Sequence, residues 1–79
     1  ELLSIQGVEA SFVLYLDGNG VSISARSLGK VNVQLIMESL GGGGHQTMAA
    51  AQIPSATIQD TKERLLQVLE AYESEQQRR

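Results

Sequence analysis

Apolar and more polar residues alternate along two neighbouring stretches near the start of the chain, which predicts a β-hairpin. In the first stretch every second residue from Val8 to Leu16 is apolar, and the positions between them are only weakly apolar. Residues 17–20 read Asp-Gly-Asn-Gly, a strong turn signal. From Val21 to Arg26 apolar side chains alternate again, now with serines and one arginine. We therefore expect Arg26 on the sheet face that points away from the helices.

The next segments change to helical spacing. Apolar residues at positions 33, 36, 37 and 40 recur as on one helix face, Asn32 is a suitable N-cap, and Gly41 is suited to end the helix. A second, longer helix begins with a capping-box-like sequence at Thr57. Its apolar stripe consists of Ile58, Thr61, Leu65, Val68, Leu69 and Tyr72. The polar tail from Glu73 is expected to fray.

Residues 48–53 are small and apolar and stop at Pro54. This segment can form a short buried strand, a brief helical turn, or one after the other; we favour a turn at residues 46–47 followed by a strand. Met37 and Met48 are expected in the core, and the three alanines at 49–51 are expected to let the preceding glycines lie close to the sheet.

These elements predict one α/β domain over residues 1–79. It is a small two-layer domain, with a β-hairpin and a further strand in a mixed sheet and helices on one face. The chain has no cysteine, which excludes disulfides and thiolate metal sites, and no apolar stretch long enough to span a membrane. It begins without a methionine, so we expect an excised domain whose partner lies upstream. We expect a cytoplasmic location without direct membrane contact by this domain, the parent protein being anchored, if at all, through upstream segments.

The charge balance argues against a long nucleic acid as ligand. The formal net charge is −3, and only Arg26 and Lys30 precede Lys62 among the basic residues. A nucleic-acid track needs clustered Lys and Arg, and a stacking platform needs more aromatic residues than one Phe and two Tyr. A small phosphorylated ligand needs far less positive charge, so the balance favours a dinucleotide.

Four consecutive glycines, Gly41–Gly44, precede the only histidine, His45. Ending a helix requires one glycine, so the other three need a different explanation. A glycine run lets successive N–H groups turn to one side and lets the backbone approach a ligand closely, and such a concavity binds anions such as phosphate. A flexible hinge or a wide turn is the alternative, since glycine-rich loops are weak motifs when taken alone.

The residues on both sides of the glycine run make it a more specific motif than the glycines alone. With SARS at 24–27, GKVNV at 29–33, LGGGGH at 40–45 and AAA at 49–51, the chain resembles the DHH-associated domain. That is the C-terminal substrate-binding domain of DHH-family phosphoesterases. The resemblance extends over nearly the whole chain, and the form of these motifs is most similar to the cyclic-di-AMP phosphodiesterases of the GdpP type.

The resemblance implies that His45 lies at the substrate phosphate and that Arg26 binds phosphate with hydroxyl support. The expected substrate-binding residues are Ser24, Arg26, Asn32, Gly42, Gly43, Gly44 and His45. From the residues alone, His45 reads equally as an exposed bystander, Arg26 as a solvated surface arginine and Asn32 as a helix cap. Lys30 is expected only to steer anions.

The sequence predicts no catalytic residue and no metal ligand in this chain. Two-metal phosphodiester hydrolysis needs several carboxylates and histidines, and the chain has one histidine. The resemblance places two divalent ions, typically manganese, in a DHH domain that the chain lacks. The expected partners are that domain and a cyclic dinucleotide or short linear dinucleotide. An oligonucleotide-binding domain of an exonuclease or oligoribonuclease and a non-catalytic nucleotide sensor remain alternatives, and the choice among cyclic-di-AMP, cyclic-di-GMP and short oligonucleotides stays open.

Overall fold

The computed structural model describes residues 2–5 and 9–78, and within them five strands form one sheet with two helices. The strands are β1 (Leu2–Ile5), β2 (Ala10–Asp17), β3 (Gly20–Ser27), β4 (Gly43–Gly44) and β5 (Met48–Ile53); the helices are α1 (Val33–Glu38) and α2 (Ile58–Gln77). The strand order is β1-β2-β3-β5-β4. The predicted α/β fold class, hairpin, helices and strand over 48–53 are confirmed, whereas Val8 lies outside the described residues.

The sheet is antiparallel in all pairings of the described strands, and not mixed as the sequence led us to expect. The reason lies in the connection through α1. After β3 the chain passes along α1 and returns as β4 at the sheet edge, and the tight turn after β4 then inserts β5 between β3 and β4. Because β5 fills the gap, the two strands joined by the helix never become neighbours. The sequence pattern had indicated neither β1 nor β4.

One face of the sheet forms the core, and among the described residues no helix lies on the other. Buried residues alternate with exposed or half-buried ones along β2, β3 and β5, apart from Gly20 and Ser22, which are buried out of phase. Leu16 at the end of β2 was wrongly expected on the core face, since it is 70% exposed. Both helices pack on the buried side. The largest fully buried side chains are Phe12, Leu14, Val21, Ile23, Val33, Ile36, Met37, Thr61 and Leu65. On the opposite side, which we call the open face, Val13 and Tyr15 of β2 are 42% and 50% exposed.

Helix α2 begins where its sequence predicts but ends later than expected. The Thr57 hydroxyl caps its start by accepting the Asp60 N–H at 3.0 Å, as the capping-box pattern predicts. The helix then continues through Gln77, although the tail from Glu73 was expected to fray. The apolar stripe is therefore carried by a helix of 20 residues, and Tyr72 lies well inside it.

Thr61 lies in the first turn of α2, and its buried hydroxyl has no hydrogen-bond partner among the described residues. A buried polar group without a partner is destabilising, whereas a valine of nearly the same shape has no such group. We expect Thr61→Val to raise the free energy of unfolding by about 1 kcal/mol. Urea unfolding followed by circular dichroism checks this, with the exposed Ser74→Ala as a control for helix propensity. A destabilised Thr61→Val would mean that the hydroxyl is satisfied in solution.

Candidate functional site

Backbone hydrogen bonds join three chain segments at one end of the sheet, which we call the site end. The Ser27 N–H at the end of β3 donates to the Thr47 carbonyl at 3.0 Å, and the Val33 N–H at the start of α1 donates to the Gln46 carbonyl at 3.0 Å. Residues 46–47 form the turn between β4 and β5. This turn is therefore fixed on one side to the strand that carries Arg26 and on the other to the helix that Asn32 caps.

Arg26 and His45 occupy one row of residues that crosses the sheet. Arg26 lies opposite Ser11 on β2 and opposite Met48 on β5. His45 in turn exchanges backbone hydrogen bonds with Met48, at 2.7 Å from the His45 N–H and 3.4 Å to the His45 carbonyl. Since neighbouring strands lie about 4.8 Å apart, the backbones at Arg26 and His45 are about 10 Å apart. Both residues are exposed and lie in the same row, although His45 does not line the hollow that surrounds Arg26.

Met48 was wrongly expected in the core. It is 51% exposed, because residues directly opposite one another share a sheet face and Met48 lies opposite Arg26. Ala49, Ala51 and Ile53 are the buried residues of β5. In the sequence, the polar Gln52 next to the apolar Ile53 indicates that Gln52 lies on the open face. Because side chains in a strand alternate between faces, Ala50 and Met48 then lie on the open face as well.

A hollow on the open face lies around Arg26. Its lining residues are Ser11, Arg26, Ser27, Leu28, Thr47 and Met48. The Ser27 hydroxyl accepts the Gly29 N–H at 2.9 Å and so shapes the chain just after the arginine. Leu28, which the sequence reading had not singled out, is 73% exposed. The hollow therefore combines one guanidinium, three hydroxyl-bearing side chains and two exposed apolar ones.

Asn32 is the N-cap of α1, as predicted. Its side-chain oxygen accepts the N–H groups of Gln34 and Leu35, at 3.1 and 3.3 Å. Its own N–H donates to the Tyr72 hydroxyl on α2, at 2.9 Å. The cap uses the side-chain oxygen, which leaves the amide NH₂ group as the part of Asn32 suited to a ligand; a role at the ligand stays a prediction.

The first two residues of the glycine run close helix α1. Gly41 has a φ of 86°, in the left-handed region, and its N–H donates to the Glu38 carbonyl at 3.1 Å. The Gly42 N–H donates to the Met37 carbonyl at 2.8 Å. Together these bonds form a Schellman turn, which satisfies the last carbonyls of the helix. The Gly42 N–H is therefore engaged within the fold.

The last two residues, Gly43 and Gly44, form the edge strand β4, where the sequence had predicted a loop. Gly43 lies opposite Ala50 and Gly44 opposite Ala49. Bonded and non-bonded pairs alternate in an antiparallel ladder, so with His45 bonded to Met48 the Gly43 N–H points toward Ala50 and the Gly44 N–H toward the open edge. The expected cradle of three N–H groups at Gly42–Gly44 is thus wrong in this detail.

A side chain would meet very different surroundings at three of these glycines. A Cβ at Gly44 would lie 2.5 Å from the Ala49 Cα, and one at Gly42 would lie 2.7 Å from the Ala51 Cβ and against the Ala50 carbonyl oxygen. These contacts confirm that the alanines let the glycines lie close to the sheet. A Cβ at Gly43 would meet nothing within 4 Å, and Gly43 has no positive φ. Gly43 is thus a glycine that the fold itself does not require.

Small residues form a strip beside the row of Arg26. Ser24 is half-buried on the open face and lies opposite Ala50, which lies opposite Gly43. Between the row of Arg26 and the row of Gln52, three neighbouring strands therefore present only a hydroxymethyl group, a methyl group and a hydrogen atom. This low strip gives a flat ligand room to approach the sheet next to the arginine.

The described residues offer no site for a metal ion. Across residues 2–5 and 9–78, no three acidic or histidine side chains come close enough to ligate one. The residues of this domain thus do not fit the two divalent ions that the resemblance implies. Neither helix of the described chain is long and apolar enough to cross a membrane.

Comparison with known proteins gives one family match and several close relatives. A family model described as the DHHA1 domain matches residues 1–75. The cyclic-di-AMP phosphodiesterase GdpP of Geobacillus thermodenitrificans is 54% identical over 72 residues, and the cyclic-di-AMP phosphodiesterase PdeA of Listeria monocytogenes is 50% identical. In both cases the match covers 90% of this chain and 11% of the relative. The bifunctional oligoribonuclease and PAP phosphatase NrnA of Thermus thermophilus is 38% identical over 65 residues, which is 82% of this chain and 20% of that protein.

Proposed function

The chain belongs to the DHHA1 domain family, and from that membership we propose that it is the substrate-binding domain of a DHH-family phosphodiesterase. The ligand is the phosphate and nucleotide of cyclic-di-AMP or of the linear dinucleotide made from it. This choice follows relatives that are at least 50% identical and are named cyclic-di-AMP phosphodiesterases. The chain spans about a tenth of their length, so the hydrolytic activity is proposed for the longer protein.

The observation that carries the proposal is the row that joins Arg26 to His45 across β5. Two side chains about 10 Å apart at the backbone can both reach an anion held between them, since an arginine side chain alone extends several ångströms. The guanidinium offers a bidentate pair of donors to phosphate oxygens, and the imidazole offers a further donor. Asn32 and the Gly44 N–H, which points to the sheet edge, lie at the same end.

The bond-breaking chemistry belongs to the other domain in this proposal. The donor set here suits binding and orientation of a phosphodiester, while two divalent ions, manganese by the resemblance, would be held by the DHH domain and would activate water. Arg26 and His45 then hold the dinucleotide in place over that site. Lys30, exposed on the loop before Asn32, adds positive potential at the same end.

We expect residues 1–79 to bind linear diadenylate and cyclic-di-AMP but to hydrolyse neither in the presence of Mn²⁺. Titration of the ¹⁵N-labelled chain should shift the amide resonances of Gly43, Gly44 and His45 and leave those of the distant turn at Gly18 unchanged. Hydrolysis is followed by chromatography of the same samples. Turnover that copurifies with this chain, or ligand shifts confined to the turn at Gly18, would contradict the proposal.

A short single-stranded oligoribonucleotide is the second candidate ligand. The observation that favours it is the similarity to a relative named as an oligoribonuclease. The same titration with a five-residue oligoadenylate and with a 20-residue oligothymidylate distinguishes a dinucleotide-binding domain from an oligonucleotide-binding one. Equal affinity for the dinucleotide and the pentamer indicates oligonucleotide binding, whereas a long strand is not expected to bind a chain with net charge −3.

A further inference from the structure

A hydrogen bond links α2 to the site end across 40 positions of sequence. The phenol oxygen of Tyr72 accepts the backbone N–H of Asn32 at 2.9 Å, in a partly buried setting. As an N-cap residue, Asn32 cannot donate this N–H within its own helix, so the group needs a partner from elsewhere. Tyr72 also packs against the core with its ring, which holds the hydroxyl in place.

Asn32, whose backbone Tyr72 fixes, is next in the chain to Val33, and Val33 is hydrogen-bonded to the turn that follows His45. The next residue, Val33, donates its N–H to the Gln46 carbonyl at 3.0 Å, and the following residue of that turn, Thr47, accepts from Ser27 at 3.0 Å. A continuous series of hydrogen bonds and peptide units thus runs from Tyr72 through residues 32–33 and 46–47 to the strand end beside Arg26. The loop 28–32 is also fixed at both ends, because the Leu28 N–H donates to the Glu9 carbonyl at 3.0 Å.

We propose that Tyr72 is a positioning residue for the phosphate site: its hydroxyl fixes the backbone at Asn32 and, through the Val33–Gln46 bond, the turn next to His45. This inference rests on the proposed function and deepens it. Tyr72 itself contacts Asn32 and the core, and in this proposal it never contacts the ligand. Its hydroxyl matters because Arg26 and His45 can share one anion only while the turn keeps its distance from β3.

The test compares Tyr72→Phe with Thr57→Ala. The first change removes the hydroxyl and keeps the ring; the second removes a comparable hydrogen bond of α2, from the Asp60 N–H, at the helix start. We expect Tyr72→Phe to weaken the binding of linear diadenylate about 2- to 10-fold, the range of one neutral hydrogen bond. Thr57→Ala should leave affinity unchanged at a temperature where both variants are fully folded.

Spectra of the ligand-free variants provide a readout that a general loss of stability does not move. In Tyr72→Phe the amides of Asn32, Gln46 and Thr47 should shift and the Asn32 amide should exchange with solvent faster, while the turn at Gly18 stays unchanged. Equal affinity in Tyr72→Phe and the unaltered chain would overturn this inference and leave the proposed function intact. An equal loss in Thr57→Ala would also overturn it. If the unaltered chain binds no dinucleotide, the proposed function itself fails, and this inference with it.

Discussion

Replacing Arg26 with alanine in the full-length protein that carries this domain should lower kcat/KM for cyclic-di-AMP by about 10- to 150-fold. The change removes the charge-assisted interaction with a phosphate, taken as one such hydrogen bond worth roughly 1.5–3 kcal/mol, and each 1.36 kcal/mol corresponds to a factor of about ten. His45→Ala should cost a similar factor if the imidazole contacts the same anion. Steady-state kinetics at low and physiological salt measure both effects.

Lys30→Ala is the matched control, because it removes a positive charge from the same end without removing a proposed contact. A steering charge changes mainly the encounter rate and is screened by salt, so its effect should be smaller and should fade at physiological ionic strength. The loss of transition-state stabilisation in the double variant of Arg26 and His45 should differ from the sum of the two single losses. Residues that contact the same phosphate are energetically coupled. Additive losses below about twofold at both positions would exclude both residues from the phosphate.

The glycines at 42, 43 and 44 should separate into two classes when each is substituted. Gly43→Val should leave the free energy of unfolding within about 0.5 kcal/mol, because a Cβ at Gly43 has open space on the sheet face. The same change should raise KM about 10- to 100-fold, since it misplaces a ligand that lies close to the strand. Gly42→Ala and Gly44→Ala should instead destabilise the domain by about 1–3 kcal/mol, because their methyl groups collide with β5.

Urea unfolding of the three variants, alongside kinetics of Gly43→Val in the full-length protein, measures this separation. Gly43→Ala is the graded control, because its single methyl group should produce a smaller rise in KM than the branched side chain of valine. Unchanged kinetics in a folded Gly43→Val would reduce the glycine run to a connector between α1 and β5. A destabilised Gly43→Val would show that the strand has less room at this position than the structure indicates.

Local patterns in the sequence were sufficient to predict the elements that depend on residues close together in the chain. The turn at Gly18, the two N-caps and the helix end at Gly41 follow from neighbours within four residues and are confirmed. The alternation in β2 and β3 is confirmed as well, except at Leu16, which was expected on the core face and is 70% exposed. The open-face position of Arg26 followed from the same alternation. These features could be predicted because local backbone hydrogen bonding and the period of the side chains govern them.

Features that depend on long-range pairing could not be read from the sequence. A strand of two glycines has no side-chain pattern, so β4 is visible only once β5 lies beside it. The same pairing turns the Gly43 N–H toward β5, which the idea of an open glycine loop had missed. Tyr72 fitted the apolar stripe of α2 equally well as a core residue, and its bond to Asn32 is set by how α2 lies against α1.

The Schellman turn and the edge strand together fix the conformation of all four glycines in the run. Two of its residues are committed to closing α1 and two to pairing with β5, so the run acts as a spacer of fixed length. A flexible linker would absorb one more glycine at little entropic cost. Here the two-residue turn at 46–47 fixes the register of β4 on β5, so an inserted residue would have to displace α1 or disrupt the Schellman turn. Helix α1 would then move relative to the turn to which its first residue, Val33, is hydrogen-bonded. The number of residues between helix and histidine is therefore a requirement of the fold in its own right, including at Gly43, where the fold does not require glycine.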